Sequence, residues 1–224
     1  MEIYSNVHLI PRVIANPYLL IDPIGLTLID AGMPGSEKKI LRYISKLGFT
    51  PKDLKNIIIT HADFDHVGGL AALKKVSNSR ILASAPEAAA MSAGHSSREI
   101  KPTNSLLKMV FRVIGRFEKN VKVEADELLS DGQIIPILGG LQVIETIGHT
   151  PGHISLFLAS AGILFSGDSI VTGKDKLYSS RSSVTWDRQE ADKSVRRQAG
   201  LEVKILCPGH GPVVMNARDK FPTV

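Results

Sequence analysis

The chain has 224 residues, is 43% hydrophobic and 22% charged, and carries 19 glycines and 12 prolines. That balance supports a real core and excludes disordered, collagen-like and coiled-coil classes. One cysteine, Cys207, rules out an internal disulfide, and a net charge of +5 without a dense basic block does not favour nucleic-acid binding. The amino terminus, Met1-Glu2-Ile3-Tyr4-Ser5-Asn6, has neither the basic residues nor the apolar stretch of a secretory signal. The expectation is therefore a cytoplasmic protein. Residues 146–167 lack Asp, Glu, Lys and Arg but include His149, Pro151, His153 and four glycines, which fits two strands and a polar turn rather than a membrane span.

Short apolar runs at 7–10, 18–22, 26–30 and 56–60 predict strands. Between them, residues 37–47 predict a helix: Ile40, Leu41, Ile44 and Leu47 form an apolar stripe, Ser36 is placed to cap it and Gly48 to end it. A short helix through Leu70–Leu73 and a strand at 80–83 follow, then helical sequence over about 86–118. Strands are predicted at 121–123, 127–129, 134–137, 141–147, 154–158 and 163–165, with glycine turns at Gly139-Gly140 and Gly162. Asp187 with Glu190 three residues on predicts the start of a last helix, ending at Gly200 behind Arg196 and Arg197. A final strand, 203–206, runs into Pro208-Gly209-His210-Gly211. No linker divides the chain, so a single domain over 1–224 is expected. Two strands that each run into an Asp, at Asp30 and Asp168, suggest two halves with a site along their shared edge.

Thr60-His61-Ala62-Asp63-Phe64-Asp65-His66 places four metal-ligating side chains in six residues at a strand's end. Burying so many charges without a cation would cost several kcal/mol each. His149 and His153, Asp168, and His210 stand in three more turns after apolar strands, and with His61 and His66 these four turns hold five of the seven histidines. Together they point to a site for two metal ions.

In order and spacing these motifs resemble the metallo-β-lactamase superfamily of metal-dependent hydrolases: Leu28-Ile-Asp30-Ala-Gly32, the His61–His66 motif, Gly148-His149-Thr-Pro-Gly-His153, Phe165-Ser-Gly-Asp168 and Cys207-Pro-Gly-His210-Gly. The resemblance implies an α/β fold, a four-layer αβ/βα sandwich with two mixed sheets between helices and the metals at one edge. It assigns His61, Asp63 and His149 to a first metal, Asp65, His66 and His210 to a second, and Asp168 to a bridge. Asp30 would stand behind a ligand, and His153 would hydrogen-bond within its turn rather than bind metal. Two divalent ions are the implied cofactor, zinc first.

Asp63 departs from the family pattern, in which most members have His there. Two divalent ions carry four positive charges, and the usual two carboxylates with a hydroxide carry three negative ones; a third carboxylate brings the sum to zero. A harder ligand set is less selective for zinc over manganese or iron. The chemistry implied is attack by a metal-activated hydroxide on an ester, lactone, thioester or amide carbonyl, with Asp65 orienting it and moving its proton. An iron redox enzyme of the same fold, such as a sulfur dioxygenase, is the alternative, and a non-catalytic metal-binding domain the third reading.

The 86–118 segment is the candidate lid. Leu106, Val110, Val113 and Phe117 make one apolar stripe, and Lys108, Arg112 and Arg116 recur on another side. Met91, Met109 and Phe111 are its candidates for substrate contact. Only 14 residues follow His210, so the glutathione-holding helical domain of glyoxalase II enzymes is expected to be missing. The expected partner is a small molecule, with no nucleic acid and no membrane; a homodimer is left open.

Overall fold

The computed structural model describes residues 1–98, 122–174 and 176–224. Among these, strands β1 (Glu2–Tyr4), β2 (Val7–Leu9), β3 (Tyr18–Asp22), β4 (Gly25–Ile29), β5 (Leu54–Ile58), β6 (Arg80–Ser84) and β7 (Glu127–Leu129) form one sheet in chain order. Neighbours from β1 to β4 are antiparallel, and those from β4 to β7 parallel. The second sheet runs β15 (Val214–Met215), β14 (Ile205–Pro208), β11 (Ile163–Gly167), β10 (Ile154–Leu158), β9 (Leu141–Glu145), β8 (Ile134–Ile135). In it β11 and β14 are parallel and the other neighbours antiparallel. A separate hairpin joins β12 (Ile170–Gly173) to β13 (Lys176–Ser179).

The period of two in each strand sorts side chains between layers. Tyr18 and Leu20 point into the core between the sheets, where they join Ile29, Ile58, Leu82, Val143, Leu156 and Phe165. Leu19, Leu28, Ile57 and Ile81 face the other way, onto helices α1 (Glu37–Lys46), α3 (Leu70–Ser77) and α4 (Ala85–Ala93). On the far side, Ile144, Phe157, Leu164 and Leu206 meet Val195 of α5 (Arg188–Ala199). The order of layers is helix, sheet, sheet, helix, a mixed α/β sandwich as expected.

The two helix starts are capped differently, one by a side chain and the other by backbone alone. Asp187 caps α5 by accepting from the Gln189 and Glu190 amides. Ser36, expected to cap α1, does so only with its carbonyl, which accepts from Lys39 and Ile40; its own helical backbone turns the hydroxyl away. The helix beginning at residue 85 stops at Ala93, where Gly94 adopts the left-handed conformation. The remainder of the predicted 86–118 helix, including Met109, Phe111 and the stripe from Leu106 to Phe117, lies outside the described residues. The strand expected at 121–123 is not one in its described part, residues 122 and 123.

Strands β4, β5 and β6 run parallel, so the residues following them gather at one edge of the first sheet; those following β11 and β14 gather at the same end of the second. Loops at the carboxyl ends of parallel strands converge there, and the histidines and aspartates lie in those loops.

Candidate metal centre

The turn after β5 carries His61 and Asp63, and the one-turn helix α2 (Phe64–Val67) carries Asp65 and His66. Asp63 occupies the position before that helix, and its carbonyl accepts from the His66 and Val67 amides. Its carboxylate is not spent on capping. One oxygen, Oδ1, accepts from Ser96 Oγ at 2.6 Å, and the other, Oδ2, accepts from Arg98 Nη2 and lies 3.2 Å from His149 Nε2 and 3.6 Å from His61 Nε2.

Among the described residues three groups of donors emerge, each with one atom per residue and all atoms within 4.8 Å of one another: His61, Asp63 and His149; Asp65, His66 and His210; and His61, His66 and Asp168. We call the first the inner position, because its residues are buried, and the second the outer, because Asp65 and His210 are part-exposed. Asp168 lies between them, 3.4 Å from His66 and 3.8 Å from His149 by its two oxygens, and 3.5 Å from His210.

The histidine rings are held from behind. Asp30 accepts from His66 Nδ1 at 2.8 Å and from the amide and hydroxyl of Thr60, both at 2.9 Å. Because the Thr60 hydroxyl donates to Asp30, it accepts from His61 Nδ1 at 2.9 Å. His149 Nδ1 is 2.7 Å from Ser180 Oγ. With each Nδ1 engaged from behind, Nε2 is the ring atom that faces the centre. His153 is different. Its Nε2 accepts from the Asp168 amide at 3.0 Å and its Nδ1 bonds Thr146, so it fixes the Asp168 backbone instead of facing the donors.

Electrostatics follow from this packing. Burial opposes charge on His66, yet Asp30 and Asp168 on either side raise its pKa well above 6.5. Burial, reinforced by the neighbouring histidines, keeps His61 neutral, and burial lowers His153 to about 3. Burial would raise the Asp63 and Asp168 carboxyls, but His149 and Arg98 hold Asp63 far below the usual range, and His66, His149 and His210 do so for Asp168. His210 is raised despite burial, chiefly by its bond to Asp65.

His61 Nε2, His66 Nε2 and Asp168 Oδ1 are buried and find no hydrogen-bond partner among the described residues; the nearest approach, His66 Nε2 to Asp168 Oδ1, is 3.4 Å. An orphaned buried polar atom costs about 1–3 kcal/mol, and three of them facing one another would be costly without a cation. The residues present therefore fit a pair of divalent ions.

Two functional residues escaped the sequence reading. Glu87, fully buried in α4, accepts from the Ala62 and Gly152 amides and from the Thr150 and Ser97 hydroxyls, tying the His61 loop to the His149 loop. Burial raises its pKa. The signal was available: Glu87 is the only charged residue between Arg80 and Arg98. Arg98 itself had no distinguishing sequence feature. Conversely, Met91, expected at the substrate, is 2% exposed in the core under α4, because its helix turns it onto the sheet.

A cavity of about 360 Å³ opens over the centre. Ile14, Met33, Phe64, Val171 and Val184 line it with Arg98 and Arg181. Gly209 permits the close packing at its floor: a Cβ there would lie 2.3 Å from Asp168 Oδ1 and 2.8 Å from His66.

The family model for the metallo-beta-lactamase superfamily matches residues 10–210. "Probable metallo-hydrolase YflN" of Bacillus subtilis is 29% identical over 94% of this chain and 85% of its own length. An N-acyl homoserine lactonase from a Bacillus species is 28% identical, over 86% and 79%. The hydroxyacylglutathione hydrolase of Cereibacter sphaeroides is 29% identical over 74% of this chain but only 51% of its own length. Among solved structures, a metallo-beta-lactamase family protein of Thermus thermophilus superposes with a TM-score of 0.76, at 21% identity, over 98% of this chain and 78% of its own.

Proposed function

The chain belongs to the metallo-β-lactamase superfamily as one of its metallo-hydrolases, and from that premise we propose that it cleaves an ester, lactone or thioester in a small molecule. The observation that carries this reading is the set of orphaned donors, His61 Nε2, His66 Nε2 and Asp168 Oδ1, turned toward one another beneath an open cavity. We assign His61, Asp63 and His149 to an inner ion, Asp65, His66 and His210 to an outer one, and Asp168 to both, with zinc as the ion. Bound there, divalent cations supply Lewis acidity and lower the pKa of water.

The chain's residues supply the rest. Asp30 and Thr60 hold His66 and His61 in the tautomers that leave Nε2 free, and His153 holds the Asp168 backbone. Asp65 lines the cavity beside His210 and is the group we assign to accept and return a proton. Ile14, Met33, Phe64, Val171 and Val184 suit an apolar acyl chain or ring, which they would shield from water. A lactonase and an acylglutathione hydrolase among the relatives support a carbonyl substrate.

The test is turnover by zinc-loaded protein across lactones, thioesters and aryl esters of increasing acyl length. Hydrolysis that improves with chain length is expected. No turnover in any class, together with oxygen uptake by iron-loaded protein supplied with a persulfide, would replace this reading with the redox one.

A further inference from the structure

At the inner position a cation of the chain already engages a ligand oxygen. Asp63 Oδ2 is the oxygen that faces His61 and His149, and it is the same oxygen that accepts from Arg98 Nη2. The arrangement is built in. Ser96 bonds the other Asp63 oxygen, Ser97 bonds Glu87, and the Arg98 side chain is only 5% exposed with its Nε unpartnered among the described residues. The segment is thus tied at three successive residues.

Charge counting gives this pair a consequence. Asp63, Asp65 and Asp168 contribute three negative charges. Arg98 places one positive charge on the very Asp63 oxygen that faces the inner position, so an ion there would share that oxygen with a fixed cation. Two cations against one buried oxygen repel each other, a cost that an ion held by Asp65, His66 and His210 does not meet.

We propose that Arg98 competes with metal for Asp63, so that the two positions fill in order, the outer tightly and the inner weakly. The inference rests on the ligand assignment proposed above. It makes Arg98 a positioning residue that sets metal occupancy.

The experiment is zinc titration of metal-free full-length protein against a competing chromophoric chelator, with bound metal per chain measured after dialysis. The wild type should take up two equivalents whose affinities differ by about tenfold or more. Arg98→Gln, which removes the charge, should tighten the second step by about tenfold and leave the first unchanged; Arg98→Lys, which keeps the charge, should leave the second step weak. A second step unchanged or weakened in Arg98→Gln overturns the proposal. Titration of the wild type with cadmium-113 gives a measurement that needs no variant. One resonance should saturate before a second appears, and two growing together would overturn ordered filling. Failure of the first step to occur at all would instead overturn the metal centre, and with it the hydrolase reading.

Discussion

Asp30→Asn isolates what the residue behind His66 does. Asp30 is 2% exposed and has a φ of +60°, a left-handed conformation that Asn tolerates as well as Asp. The backbone should therefore survive. Asp30 accepts from the Thr60 amide through Oδ1, and from Thr60 Oγ1 and His66 Nδ1 through Oδ2. In the variant the amide oxygen can keep the Thr60 amide bond, which leaves the NH2 group facing His66. That group donates, so His66 must accept at Nδ1 and carry its proton at Nε2, where the outer metal is assigned. Loss of a partner behind a metal-binding histidine typically costs 10- to 100-fold in affinity, about 1.4–2.7 kcal/mol. Competition titration should show the first zinc step weakened by that amount, with the far-ultraviolet circular dichroism of the metal-free protein unchanged. Asp30→Ala should also weaken the fold, since it leaves the buried Thr60 amide unpaired at about 1–3 kcal/mol and puts a Cβ with no local hydrogen bond in the left-handed region. Zinc affinity of Asp30→Asn within twofold of wild type would refute the reasoning.

His66→Ala and Asp168→Ala should abolish hydrolysis with little change in far-ultraviolet circular dichroism; full retained turnover in either would reject the site assignment. Gly209→Ala should cut zinc uptake, because its methyl group would stand 2.3 Å from Asp168 Oδ1, and uptake equal to wild type would show that the bridge yields without cost. Glu87→Ala removes four hydrogen bonds, to the His61 loop, the His149 loop and Ser97, and should lower stability by about 2–4 kcal/mol in urea unfolding, while a change under 0.5 kcal/mol would deny it that role. For pH, the sign follows from His66. Its pKa is raised in the metal-free fold, so that fold gains stability fully below 6.5 and loses it as pH rises through the raised value. Metal must displace this proton, so affinity for the first zinc should rise about tenfold per pH unit in that window. Calorimetry in buffers of different ionisation heat should detect proton release at pH 7, and none released would contradict the assignment.

Much of this was legible in the chain because strands and ligands obey local rules. The apolar run before Thr60 and the one before Asp168 read as strands, and polar residues at their ends could only be loop residues at a sheet edge. Strand limits shifted by one or two residues, as at β5, where pairing with β4 decides the ends rather than composition. The hairpin of β12 and β13 was not read. Ile170-Val-Thr-Gly and Lys176-Leu-Tyr-Ser are short and partly exposed, and their register comes from facing each other. Arg98 was invisible for a different reason. It lies 35 residues from Asp63, and nothing in the sequence distinguishes it from the other arginines until Ser96 and Ser97 fasten the turn that aims it.

The candidate ligands come from both sheets, and the inner position alone joins Asp63 to His149 across 86 residues of chain. A covalent cross-link closing a loop of that length would remove about 4–5 kcal/mol of freedom from the unfolded chain. This protein has no such link, for its single cysteine, Cys207, is sealed in the core. Ions at the centre would take the place of a disulfide, with one difference: their contribution depends on supply, reaching about 2.7 kcal/mol when free metal is a hundred times its dissociation constant and vanishing when it is withheld. Melting temperature should accordingly climb with added zinc and fall with chelator, and the grip between the two halves becomes a quantity that the surrounding solution sets.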